Sequence, residues 1–232
     1  MAEEEPVFGT TTGPPRIITA ASLFDGHDAA INVMRRLIQS AGAEVIHLGH
    51  DQSAKAVVDC AIQEDAHGVA LTSYQGGHVE YFTYIRQLLD EAGCKHIRIF
   101  GGGGGTITPP EIKTLHESGI SKIYSPDDGR TMGLMGMIHH LMGIASEVDL
   151  IHPDRIASLS GPVTPEDTAK VGLLLTMSES ADDKTFKSTL EKCRSSEKEV
   201  PVIGFTGTGG AGKSSLLDEL MLRILRDNAG KK

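Results

Sequence analysis

Between Arg16 and Gly143, short apolar runs alternate with stretches whose apolar residues recur at helical spacing. Ile17–Phe24 is apolar and partly β-branched, as expected of a strand buried on both faces. Ile31, Met34, Leu37, Ile38 and Ala41 then follow a helical period, and Gly42 is a natural stop. Further strands are predicted over Glu44–Leu48, Gly68–Thr72, Ile97–Phe100 and Lys122–Tyr124. The helices between and after them are predicted over Ser53–Asp65, Val79–Ala92, Pro109–Ser118 and Arg130–Met142. Strictly alternating strands and helices demand a parallel sheet with right-handed crossovers. Five such units predict an α/β, flavodoxin-like, doubly wound sheet of order 2-1-3-4-5.

The rest of the chain is organised around that unit. Residues 1–15, acidic and then Gly/Thr/Pro-rich, are expected to be a flexible arm, and 16–143 the α/β domain. Residues 144–199 are expected to be a helical linker, because Ser178–Glu199 holds six acidic and five basic residues and few apolar anchors. Within it, Thr164-Pro-Glu-Asp167 looks like a helix start with Thr as N-cap. Val200–Thr206 is strand-like, and Ser215–Arg226 places leucines, Met221 and Ile224 at helical spacing. Residues 200–232 thus read as one strand, one loop and one helix, the start of a further domain.

Composition excludes several function classes. With 22 Lys+Arg against 31 Asp+Glu the net charge is −9, and no basic face is available for nucleic acid. No run approaches the length of a membrane span, and the acidic start is unlike a signal peptide. Cys60, Cys94 and Cys193 are too far apart for a disulfide framework or a zinc site. A reduced, cytoplasmic protein is expected.

In a doubly wound sheet, ligands bind beyond the carboxyl ends of the strands where strand order reverses. Three loops meet there: Asp25-Gly-His-Asp-Ala-Ala30, Thr72-Ser-Tyr-Gln-Gly-Gly-His78, and the glycine run Gly101–Gly105. Asp25 and Asp28 would repel a flavin phosphate, and Thr72 and Ser73 stand where a phosphoacceptor domain needs an Asp. Asp25-Gly26-His27 suits metal ligation instead, with one imidazole nitrogen on the metal and a carboxylate on the other. No Cys/His cluster completes a zinc site. A single His can still serve as axial ligand to a metal held by a macrocycle. Tyr74, Gln75 and His78 face this mouth or the solvent; Asp127-Asp128 before Gly129 is expected to be a turn. His139-His140 is expected on a helix surface, and Met132, Met135, Met137 and Met142 as core filling.

The D-x-H loop, the Ser after the third strand and the glycines after the fourth resemble the cobalamin-binding domain of adenosylcobalamin-dependent acyl-CoA mutases. The resemblance covers roughly residues 15–143. It implies His27 as the lower ligand to cobalt and Asp25 as its hydrogen-bond partner. It also implies a slot for the displaced nucleotide tail, with Gly26, Ala30, Ser73, Gln75, Gly101, Gly102 and Gly103 at the cofactor. Ala30 departs from the family pattern, which has Gly there, and the glycine run is longer than the usual pair.

The second motif is Gly207-Thr-Gly-Gly-Ala-Gly-Lys-Ser214, a full phosphate loop between a strand-like run and a helix. Gly207, Gly209, Gly210, Ala211 and Gly212 let backbone N–H groups curl round phosphates, with Ser215 opening the helix. Lys213 would reach the β/γ oxygens and Ser214 would ligate Mg²⁺. Its wording resembles the G-protein chaperones fused into some of these mutases between the cobalamin domain and an acyl-CoA-binding barrel. That order implies adenosylcobalamin and GTP with magnesium as cofactors, and interconversion of isobutyryl-CoA and n-butyryl-CoA. It also implies a barrel elsewhere in the same protein and a homodimer. A corrinoid methyltransferase module, or a non-enzymatic cobalamin-dependent sensor or carrier with a regulatory phosphate loop, remain the alternatives. The missing strands would normally complete the Mg²⁺ shell and read guanine, so no turnover is expected of residues 200–232 alone.

Overall fold

The computed structural model describes residues 8–194 and 202–228. The described residues fall into two units, 8–194 and 202–228.

In the first unit, five parallel strands pair in the predicted order β2-β1-β3-β4-β5. They are β1 (Arg16–Ser22), β2 (Glu44–Gln52), β3 (Gly68–Thr72), β4 (Arg98–Gly102) and β5 (Lys122–Tyr124). The crossovers are α1 (Asp28–Ser40), α2 (Ala54–Gln63), α3 (His78–Glu91) and α4 (Pro109–Glu117), with α5 (Pro126–Ser146) after the last strand. Because strand side chains alternate between faces, each central strand feeds two cores. Ile18, Val69, Leu71 and Ile99 pack on one face with Phe82, Ile85 and Leu115 of α3 and α4. Ile17, Ala70 and Phe100 point the other way, to Ile38 of α1 and Ile138, Leu141 and Met142 of α5.

Local chemistry sets the helix ends. Ser53 caps α2 by accepting from Ala56 N at 3.1 Å. Ser125 caps α5, with Pro126 opening the helix, so Asp127 and Asp128 lie in its first turn instead of forming the expected loop turn. Gly133 interrupts α5 with φ 67° and ψ 174°, a conformation only glycine adopts freely. Met142 is buried as expected, but Met132 and Met135 are exposed near this kink.

The arm is held where it is described. A turn joins Thr10 and Gly13, Phe8 packs partly buried beside α5, and Thr10 and Thr12 hydroxyls lie 3.2 and 3.3 Å from His67 Nε2. The flexible arm expected over residues 1–15 is therefore corrected for 8–15; residues 1–7 lie outside the described residues.

The expected linker is corrected as well. Helix α5 runs through position 144, and α6 (Pro153–Ala157), α7 (Thr168–Ser180) and α8 (Asp183–Cys193) follow in the same unit. Leu159, Leu173, Met177 and Cys193 form a third buried cluster. Gly172 lets α7 approach α2 so closely that a Cβ there would sit 3.0 Å from the Ile62 carbonyl oxygen. Arg155 donates to the buried Asp65 carboxylate at 2.6 Å. Thr164 does not cap a helix: its N–H and hydroxyl donate to Asp167, which is itself the N-cap of α7.

In the second unit, α9 (Lys213–Asp227) forms as expected. The expected strand over 200–206 is not formed at the described residues 202–206; positions 200 and 201 lie outside the described residues.

Candidate functional site

The carboxyl ends of β1, β3 and β4 bring the three loops together. Asp25 is fully buried, and both its oxygens are engaged. Oδ1 accepts from the backbone N–H of His27 at 2.9 Å and from His27 Nδ1 at 2.7 Å, and Oδ2 accepts from Tyr74 N at 2.7 Å. Burial pushes the Asp25 pKa up, but the hydrogen bonds from Tyr74 and His27 outweigh it and hold the carboxyl below its usual range. A carboxylate only accepts, so Nδ1 carries the proton and Nε2 of a neutral His27 keeps its lone pair. His27 is the N-cap of α1, its side chain 66% exposed, with the Tyr74 ring centroid 5.3 Å away. Among the described residues, no group of three or more His, Cys, Asp or Glu could hold a metal ion.

Beside this pair, an apolar cavity of about 590 Å³ opens between α1, α5 and the sheet. Ala30, Gly101, Gly102 and Gly103 line it, as do Thr72, Tyr74 and Phe100. Gly26 is exposed in the first loop, outside this lining. The three glycines differ in what they face. A Cβ on Gly101 would strike the Phe82 ring at 2.4 Å, on the opposite core, while one on Gly102 would meet only Tyr124 O at 3.5 Å. Gly102 therefore leaves the cavity wall bare, and Gly101 is a packing glycine.

Ser73 and Gln75 both make hydrogen bonds within the protein. Ser73 is buried and accepts from Ser22 Oγ at 2.8 Å, away from the cavity lining. Thr72 stands in the lining, 7% exposed and in register with Gly102, and its hydroxyl has no hydrogen-bond partner among the described residues. Strand alternation could have found it: Ala70 and Thr72 share the face of Phe100 and Gly102. Gln75 donates from Nε2 to the Phe24 carbonyl at the mouth. His78 is not solvated: it is buried, with Nδ1 3.0 Å from Gln75 O and Nε2 3.2 Å from Glu111. His140 Nδ1 lies 3.0 Å from the Tyr124 hydroxyl, and the His139 ring is beside Phe8.

In the second unit, Gly210 and Gly212 of the 207–214 loop take left-handed φ of 76° and 78°, where glycine carries no Cβ penalty. Lys213 Nζ donates back to the carbonyls of Gly207 and Thr208 at 2.9 and 2.7 Å. Gly209, Ala211, Ser214 and Ser215 are exposed.

No described helix is long and apolar enough to cross a membrane. A B12 binding domain model matches residues 15–123. The chain is 49% identical over 219 residues to a fused isobutyryl-CoA mutase of Geobacillus kaustophilus (strain HTA426), covering 91% of this chain and 20% of that protein. It is 51% identical over 214 residues to the fused isobutyryl-CoA mutase of Cupriavidus metallidurans (strain ATCC 43123 / DSM 2839 / NBRC 102507 / CH34), covering 91% and 19%. It is also 34% identical over 115 residues to the 2-hydroxyisobutanoyl-CoA mutase small subunit of Aquincola tertiaricarbonis, covering 49% of this chain and 82% of that subunit. The chain thus spans about a fifth of the length of the fused relatives it matches. It belongs to the B12-binding family of acyl-CoA mutases.

Proposed function

We propose that this chain is the cofactor module of an adenosylcobalamin-dependent mutase that interconverts isobutyryl-CoA and n-butyryl-CoA. The observation that carries this reading is the Asp25–His27 pair at the mouth of an apolar cavity whose wall holds the Thr72 hydroxyl, unpartnered among the described residues. The residues fit cobalamin. His27 would hold cobalt through Nε2, and Asp25 would fix the ring and raise its basicity. The cavity would take the nucleotide tail, with Thr72 Oγ1 free to bond a ring nitrogen or hydroxyl, and Ala30 and Gly102 giving room. When bound, adenosylcobalamin supplies a carbon radical by homolysis of its cobalt–carbon bond. This chain's contribution is to bind, orient and exclude water from the tail.

In the same reading, Gly207–Ser214 belongs to a G-protein chaperone domain that binds GTP or GDP with magnesium. Lys213 would exchange its loop carbonyls for β/γ-phosphate oxygens, and Ser214 would ligate the metal. The acyl-CoA-binding barrel would lie in the remaining four-fifths of a protein like the fused relatives, and the full enzyme would be a homodimer. Titration with adenosylcobalamin tests the module. The chain should show a His-ligated, base-off spectrum, and His27→Ala should lose it while the fold persists. A variant with wild-type spectrum and affinity would defeat the axial assignment. For the phosphate loop, the test needs a protein that also carries the strands completing that domain: there GTP should bind with magnesium present, and Lys213→Ala should abolish that binding.

A further inference from the structure

Phe24 is a bulky residue in the left-handed region, φ 63°, and it is 76% exposed. It immediately precedes Asp25. Bulky side chains avoid this conformation unless surrounding contacts over-determine it. Here both polar groups of its backbone are held by side chains from the strand ends on either side of β1. Its N–H donates to Asp51 Oδ1 at 2.7 Å, and its carbonyl accepts from Gln75 Nε2. Asp51, at the end of β2, is itself left-handed at φ 57°. Gln75 lies in the loop after β3, next to Tyr74, whose N–H bonds the Asp25 carboxylate. The turn that sends Asp25 inward and His27 outward is thus gripped at two points by side chains that form no hydrogen bond with His27 among the described residues.

We propose that Asp51 and Gln75 are positioning residues that lock the Phe24 turn and so pre-set the Asp25–His27 pair before cofactor arrives. This rests on the cofactor reading above. Pre-setting matters because a loop ordered in advance does not spend binding energy on ordering. Asp51 supplies an acceptor only, so its charge is dispensable and its oxygen is not. The grip is needed because residue 24 carries a Cβ; a glycine would take the turn without penalty.

The test uses the whole chain. Asp51→Ala should weaken adenosylcobalamin binding about five- to tenfold and lower the His-ligated fraction of the spectrum. Gln75→Ala should act in the same direction. Asp51→Asn, which keeps an acceptor oxygen, should bind within twofold of wild type. In a Phe24→Gly background the fold-loss from Asp51→Ala should shrink to about twofold. Exchange of the Phe24 amide, followed without cobalamin, should quicken at least tenfold in Asp51→Ala while core amides are unchanged. Wild-type affinity in Asp51→Ala, equal damage from Asn and Ala, or a cost unaltered by Phe24→Gly would each overturn the proposal. Failure of the wild-type chain to bind cobalamin would instead overturn the cofactor reading, and the amide exchange would still decide whether Asp51 holds the turn.

Discussion

A Cβ at position 103 would lie 1.9 Å from the Ser73 carbonyl oxygen, so Gly103 is where the loops after β3 and β4 touch backbone to backbone. Gly103→Ala must push those loops apart, at a cost of about 2 kcal/mol or more and a fall of several degrees in melting temperature. Gly101→Ala should cost a similar amount through Phe82. Gly102→Ala should leave the melting temperature nearly unchanged and weaken cobalamin binding, because its methyl enters the cavity. Thermal melts beside cobalamin titrations separate the three; equal destabilisation by all of them would contradict this division.

Thr72→Val removes a buried hydroxyl that has no partner among the described residues. The cofactor-free protein should be unchanged or about 1 kcal/mol more stable, since no hydrogen bond is lost. Cobalamin affinity should fall about fivefold, the worth of one neutral hydrogen bond. Loss of stability on denaturant titration would mean that the hydroxyl already serves the fold.

The buried His67 should make the fold acid-sensitive. Its Nδ1 accepts from Arg16 N at 2.9 Å, so that nitrogen must be unprotonated. Burial first, then the positive charge of Arg16, pushes the His67 pKa down to about 4 from 6.5. Between those values the unfolded chain binds the proton and the folded chain does not, so stability falls as pH drops from 6.5 to 4. At about 1.4 kcal/mol per unit, the loss reaches about 3 kcal/mol. Denaturant unfolding at a series of pH values should show wild type losing more than His67→Gln across that window. Parallel curves would show that His67 titrates freely.

Asp65 is left-handed at φ 47°, a conformation that Asn also tolerates. Asp65→Asn therefore removes the charge beside Arg155 without straining the turn. Stranding the Arg155 guanidinium should cost about 3 kcal/mol and free α6 and α7 from α2. Hydrogen exchange across 153–180 reads this directly. Exchange there that is already fast in wild type would mean that the third cluster is not a core.

Sheet order and the Asp25–His27 pair were legible because each is written locally: β-branched runs set the strands, and two residues of spacing put a carboxylate on an imidazole. Thr72 was not legible as a cavity residue because the motif directs attention to Ser73, while the pleat decides which of two neighbouring hydroxyls faces the cavity. The 144–199 segment misled for a different reason. Its charged residues dominate the count, whereas what packs it is Gly172 against α2, Leu173 and Met177 beneath, and one ion pair to Asp65. None of these has a sequence period. The grip of Asp51 on Phe24 is likewise tertiary, since nothing near Phe24 in the chain announces a left-handed turn.

The strand order has a consequence for how the site comes into being. The carboxylate of Asp25 is met by Tyr74, Ser22 by Ser73, and Thr72 lies beside Gly102, so each contact closes a loop of many residues. Such contacts are entropically costly until the strands between them have paired. A peptide cut around His27 would keep the motif and lose the site. Cobalamin affinity should therefore report whether three separate stretches of chain have found their register, and every partially folded form of the protein should be blind to the cofactor.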